Sequence, residues 1–542
     1  MKKSFTLLIL ASAALSAQNF SKQDTLKGSN TEYRNFWDVK KYEVSVEPHF
    51  EDKSLTGKNA IHFEFSKDIT NPTFQIDLQK PMEMVAYNST FKGIPHIRTE
   101  DDFIFIEVKG KFKKGEKHTI EIQFKGHPKI AKNAPWDGGW QFEKDNNNNP
   151  WMTVSQEGEG ASLWLPMKDY WGDEPDNGIL LNITTTKNLT GIGNGRLISK
   201  KESNNKITWT WQVKNTINGY SIVPSVGKYV NFKDTYQGEK GTLDLDYWVL
   251  DYNLDAAKKQ FQQVHPMMKA FEYWMGPYPF YEDSYKVVET PHLGMEHQSN
   301  VAYGNHFKNG YLGRDLSGTG YGLSWDYILI HETGHEWFAN NITASDHADM
   351  WIHESFTTYS ETLFVDRFIS TEAGNKYTQG IRDNISNKSP IIGKYGVNKS
   401  GSGDMYPKGA NMIHTIRQIV NNDEKFRGII RGLGKEFYHK IVNTEMIQDY
   451  IQKNVDFEIK PIFDQYLRHT KIPKFEFEQN GKEFKFAWKN TIPEFNMPLI
   501  IHQNGKEIKL KPTTKVQTIT LPTASLVDFN ENYYVQYSST FF

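Results

Sequence analysis

The stretch that decides the reading is YILIHETGHEWFANN, residues 327–341. It carries His331-Glu332-x-x-His335 behind an apolar run from Tyr327 to Ile330. Residues four apart share one face of a helix, so both imidazoles can reach a single metal ion. Glu332 lies about 100° round the helix from His331 and flanks such an ion without being forced to bind it. That suits a base taking a proton from water. Alone, the pattern also fits two histidines on the exposed face of an ordinary helix. Gly334 argues against that, because glycine inside a helix costs roughly 1 kcal/mol relative to alanine. An open tetrahedral site also needs a third protein ligand.

Glu354 follows His335 by nineteen positions, in ADMWIHESFTTYSETLF (348–364). Trp351, Phe356, Tyr359 and Leu363 make an apolar stripe, which predicts a second helix beside the first with Glu354 near its start. A Glu at a helix start is usually solvated or offsets the helix dipole. Next to the preceding motif it becomes the natural third ligand.

Farther out the texture changes twice. Apolar residues at helical spacing over 254–276, ending on Gly276, predict a helix, and helical patterning continues to about 468. Before 250 the chain alternates with period two, as in Tyr42-Val44-Val46, Ile61-Phe63-Phe65 and Ile120-Ile122-Phe124, which predicts a β-sandwich-like region. Alternation returns from Lys474, where Asn480-Gly481 and Asn504-Gly505 predict type I′ hairpins. The expected organisation is α+β and multidomain. A β domain covers 18–250, a mainly helical catalytic domain 251–470, and a small antiparallel β domain 471–542. The 542 residues fit about three or four domains.

Lys+Arg 63 against Asp+Glu 65 gives a formal charge of −2, which offers nucleic acid no basic stripe. Cysteine is absent, so thiol nucleophiles, disulfides and Cys-bound zinc are excluded. Any metal must be held by His and carboxylate. The N-terminal MKKSFTLLILASAALSA pairs a Lys2-Lys3 charge with an apolar run and a small-residue cleavage site after Ala17. This reads as a signal peptide over 1–17 and predicts an exported protein, periplasmic or secreted. No later apolar run is long enough for a membrane anchor.

His331-Glu332-x-x-His335, the spacing to Glu354, Trp337 and the Trp351…Glu354…Phe356 context together resemble the aminopeptidase N family of zinc metallopeptidases. That gluzincin family also contains leukotriene hydrolases with aminopeptidase activity. The resemblance implies a β N-terminal domain, a thermolysin-like catalytic domain, a small β domain and one Zn²⁺ per chain. It makes His331, His335 and Glu354 the metal ligands and Glu332 the general base. Leu293-Gly294-Met295-Glu296-His297 matches the family's Gly-x-Met-Glu-Asn segment, whose glutamate grips the substrate amine, here Glu296. Counting back from Ala161…Pro166 and Asp169 places Glu157 as the second amine-binding acid, with Gln156 and Glu159 close by. Tyr406-Pro407-Lys408-Gly409 matches a Tyr-x-Lys-Gly tetrad and makes Tyr406 the transition-state donor. His353 and Ser355 depart from the usual Asn and Gly. His297, His353 and His414 are expected to stay out of the metal sphere, because a catalytic zinc keeps one position for water. The implied activity is removal of N-terminal residues from peptides with a free amine. Competing expectations are a non-catalytic peptide binder, an endopeptidase and an epoxide hydrolase on the same architecture.

Overall fold

The computed structural model describes residues 20–539; the expected leader, 1–17, lies outside them. The N-terminal unit is built on a seven-stranded sheet in the order Arg196–Ser203, Lys206–Val213, Ile179–Thr186, Trp37–His49, Ser54–Phe65, Lys117–Gly126, Glu83–Ser89. Its strands keep the period-two pattern: Tyr42, Val44 and Val46 are buried, and Glu43, Ser45 and Glu47 are half-buried between them. Further strands at Thr73–Asp77, Phe103–Glu107 and His96–Glu100 form a second, three-stranded layer. A core around Trp37, Phe63, Phe74, Ile104, Trp164 and Trp211 joins them.

The hairpin Tyr229–Gly238/Gly241–Leu250 does not belong to that sheet. It heads a five-stranded sheet that continues through Tyr285–Glu289, Val301–Tyr303 and Gly294–Met295. Leu245 to Trp248 run parallel to Tyr285 to Val288. That sheet therefore draws strands from both sides of the boundary expected at 250. Alternation identifies a strand but not the neighbour it bonds to.

The helix expected over 254–276 forms in two pieces, Leu254–Gln260 and Val264–Met275, with a 3₁₀ turn at Phe261–Gln263 between them. Pro266 sits in the first turn of the second piece, where its missing N–H has no helical partner to lose. Gly276 closes the helix at φ 95°.

Two helices carry the motif, Tyr327–Gly334 and Trp351–Phe368. Gly334 lies where they touch: a Cβ there would stand 2.4 Å from Ser360 Oγ and 3.2 Å from Thr357 Cγ2. Close packing of the two ligand-bearing helices thus explains the glycine. Gly334→Ala should cost about 1–3 kcal/mol through overpacking, read as a lowered melting temperature, and should weaken metal retention by moving His335 from Glu354. An unchanged melting temperature would contradict this account.

The C-terminal unit stacks a four-stranded sheet on a three-stranded one. Most pairs are antiparallel, but Lys474–Asn480 runs parallel to Gln536–Ser539. The chain visits the other sheet at Asp528–Phe529 before returning, which supplies the crossover a parallel pair needs. Asn504-Gly505 forms the expected type I′ turn, with φ 50° and 75°. At the first hairpin Asn480 pairs with Glu483, so the loop is Gly481-Lys482 and only Gly481 has positive φ. That is the type II′ pattern, with glycine at the first central position. Among the described residues no helix is long and apolar enough to cross a membrane.

Candidate active site

Asp326 caps the first motif helix by accepting from the Leu329 N–H at 3.2 Å. The same carboxylate accepts from Tyr303, Asn305 and Gln260, which fixes where the helix starts. Past His335 the chain leaves helical geometry at Phe338, whose carbonyl accepts from His335 Nδ1 at 3.1 Å. His331 Nδ1 donates to Glu361 Oε1 at 2.6 Å. With each Nδ1 proton committed, both Nε2 lone pairs are free to bind a metal.

Those two atoms converge on Glu354, with Nε2 to Oε2 distances of 3.7 Å for His331 and 3.4 Å for His335. Ligands at ordinary zinc distances in a tetrahedral site stand about 3.3 Å apart. Glu354 Oε2 is buried and has no hydrogen-bond partner, which a cation at this point would correct. The residues therefore fit Zn²⁺, held by His331, His335 and Glu354. Glu296, Glu332 and His335 are also mutually close. That set supplies only one imidazole, so the first set is the better zinc site.

The electrostatics show a site that favours positive charge, a proton here or a metal ion in its place. Burial opposes charge on His331, but Glu354 and Glu361 outweigh it and hold the imidazole well above its usual range. Burial would raise Glu354, yet His335 and His331 hold it well below the ordinary carboxylate value. Glu332 is pushed up to about 7, chiefly by burial, with His331 pulling down and Glu296 pushing up. Burial and the nearby Glu296 raise Glu157 well above normal. Carboxylates outnumber the cations available here. A divalent ion at the triad would offset part of that negative charge.

Glu296 and Glu157 reach this space from different units. Glu296 follows the edge strand Gly294–Met295, and a Cβ on Gly294 would meet Glu332 Oε1 at 2.7 Å, so the glycine lets the strand and Glu332 lie together. Glu157 follows Pro150–Ser155 of the N-terminal unit, and its Oε1 is buried without a partner. The neighbouring candidates are otherwise engaged. Gln156 donates to the Tyr220 and Ile222 carbonyls and accepts from Trp164. Glu159 pairs with Lys129 at 2.9 Å and Lys27 at 3.5 Å.

Tyr406 follows a 3₁₀ turn, Gly403–Met405, and its hydroxyl donates to Glu354 Oε1 at 2.8 Å. Ser355 helps place it by donating to the Met405 carbonyl at 2.7 Å. Lys408 of the same tetrad turns away and donates to the His469 carbonyl. His353 accepts from the Ala344 N–H, and His414 bonds Tyr359; neither they nor His297 join a metal-ligating group among the described residues.

Sequence reasoning missed two residues. Glu361, which also accepts from Tyr377 at 2.6 Å, lies seven positions after Glu354 and so on the same helix face; that spacing was a usable signal. Tyr220 donates to Glu296 Oε1 at 3.2 Å from a turn in the N-terminal unit, and nothing local announces it. His331, Glu332, His335, Glu354, Glu361, Glu296, Glu157 and Tyr406 border one cavity of about 840 Å³, which both units wall.

Comparison with known proteins agrees with this geometry. The Peptidase family M1 domain matches residues 259–466, and the Peptidase M1 N-terminal domain matches 39–220. A probable aminopeptidase 2 of Sulfurisphaera tokodaii is 20% identical over 505 residues, 87% of this chain and 59% of that protein. Leukotriene A-4 hydrolase of Xenopus laevis is 23% identical over 287 residues, 49% of this chain and 44% of that protein. The chain thus spans about half the length of the curated relatives it matches. An M1 zinc metallopeptidase from Deinococcus radiodurans, solved with a Tyr-Ser-Ala substrate, shares the fold with a TM-score of 0.70 at 18% identity, over 82% of this chain and 98% of that one. Carrying both M1 domains in order around a His-His-Glu metal site, the chain belongs to peptidase family M1.

Proposed function

We propose that the protein is a zinc aminopeptidase acting on peptides with a free N-terminus. One observation carries this reading: the metal-ligating triad shares a cavity with two further carboxylates, Glu157 and Glu296, that form no ion pair with a Lys or Arg among the described residues. An α-ammonium supplies the missing charge and sets the first peptide bond over the triad. The interior of a polypeptide brings no such cation and would leave the pair crowded, which disfavours endopeptidase action.

Zinc, when bound, supplies a Lewis acid that polarises the scissile carbonyl and acidifies water. Glu332 takes the proton of the attacking water and delivers it to the leaving nitrogen. The Tyr406 hydroxyl turns from Glu354 Oε1 to the oxygen that gains negative charge. Glu361 and the Phe338 carbonyl hold the two imidazoles in the required tautomer and orientation.

Free and N-acetylated aminoacyl-anilides, assayed with and without a zinc chelator, test the proposal. Cleavage of the free series alone, lost on chelation and restored by zinc, is the expected result. Equal cleavage of the acetylated series would make the protein an endopeptidase, and no cleavage at all would make it a binder. Residues 1–17 are further proposed to direct export, which predicts a mature chain beginning at Gln18; an uncleaved mass after expression in an exporting host would contradict it.

A further inference from the structure

Trp136 is 66% exposed although it borders the active-site cavity. An aromatic left open at a site wall is more informative than one open on a plain surface. The turn that presents it is firmly built. Trp136 N donates to the Asn133 carbonyl, Gly138 N to the Pro135 carbonyl, and the Asp137 carboxylate accepts from Lys132 N and Asn133 N. Lys129 donates to the Asp137 carbonyl and also pairs with Glu159.

Sheet register sets this turn beside the amine anchor. Gly139 pairs with Ser155 across the hairpin, so the residues before Gly139 lie alongside those after Ser155, which are Gln156, Glu157 and Gly158. A Cβ on Gly138 would come within 2.7 Å of Glu159 Cγ, which confirms the contact. On the aminopeptidase reading, on which this inference rests, a substrate ends at the α-amine held by Glu157. Nothing of it continues past that point except the side chain of its first residue.

We propose that Trp136 is a specificity-determining residue that stacks on the side chain of the substrate's first residue and selects flat aromatic groups, Phe, Tyr and Trp. The indole offers an open face in a turn whose backbone bonds fix its place, so little ordering is needed when a ring settles on it. Pro135 and Met350 add apolar wall to the same cavity.

The test compares Phe-, Leu- and Ala-anilides with the wild-type chain, Trp136→Ala and Trp136→Phe. The wild type should favour Phe over Ala, and Trp136→Ala should cut that ratio about tenfold, through KM, while Ala-anilide stays within about twofold. Trp136→Phe should restore most of the preference. A ratio unchanged in Trp136→Ala, or an equal loss on all three substrates, overturns the proposal. A wild-type chain that cleaves no free anilide fails the aminopeptidase reading itself and takes this one with it.

Discussion

Glu332→Gln is expected to lower kcat by roughly a hundred- to ten-thousand-fold while zinc content stays near one ion per chain. The amide keeps the shape of the carboxylate, so it fits the slot that Gly294 opens beside Glu332 Oε1. It cannot accept the proton. With His331, His335 and Glu354 as the ligands, metal affinity would not depend on this side chain. The pH profile offers a second check. Burial pushes Glu332 up to about 7, and a bound divalent cation pulls it down again. The base works only when ionised, so wild-type kcat/KM should fall on an acid limb below pH 7, and the Gln variant should lose that limb along with its activity. Normal kcat in a zinc-loaded Glu332→Gln protein would remove Glu332 from the mechanism.

Tyr406→Phe should come next, with kcat down by about a hundred- to a thousandfold and KM within a few-fold. The ring stacks near His331 at 6.1 Å and 27°, and phenylalanine preserves that contact. Only the hydroxyl is lost. Because that hydroxyl also donates to Glu354 Oε1, the variant should bind zinc somewhat more weakly, and the assay belongs at saturating zinc. Wild-type kcat under those conditions would make Tyr406 an orienting group for Glu354 and nothing more.

The parts of this molecule that could be read from sequence are those fixed by short-range geometry. The spacing of His331 and His335 sets a shared helix face, and the apolar stripe of 351–363 sets a second helix for Glu354. Glu361 was equally readable, since seven residues are close to two helical turns. Gly334 was legible as an anomaly, but its cause, contact with Thr357 and Ser360, needs two helices in place. Tyr220 and Trp136 reach the site through the docking of one unit on another and through strand register, which alternation alone does not disclose. The hairpin at 229–250 shows the same limit: its residues say strand, and only its bonds to 285–289 say which sheet.

Glu157 is carried by the N-terminal unit, whereas the three metal ligands and Glu296 sit on the catalytic one. Tyr220 spans the seam, its hydroxyl on Glu296 and its carbonyl on Gln156, next to Glu157. A small rocking of one body against the other would therefore spread the amine clamp and leave zinc coordination untouched. On the proposed reading, a change in how one unit sits on the other would act on substrate placement and not on the metal triad.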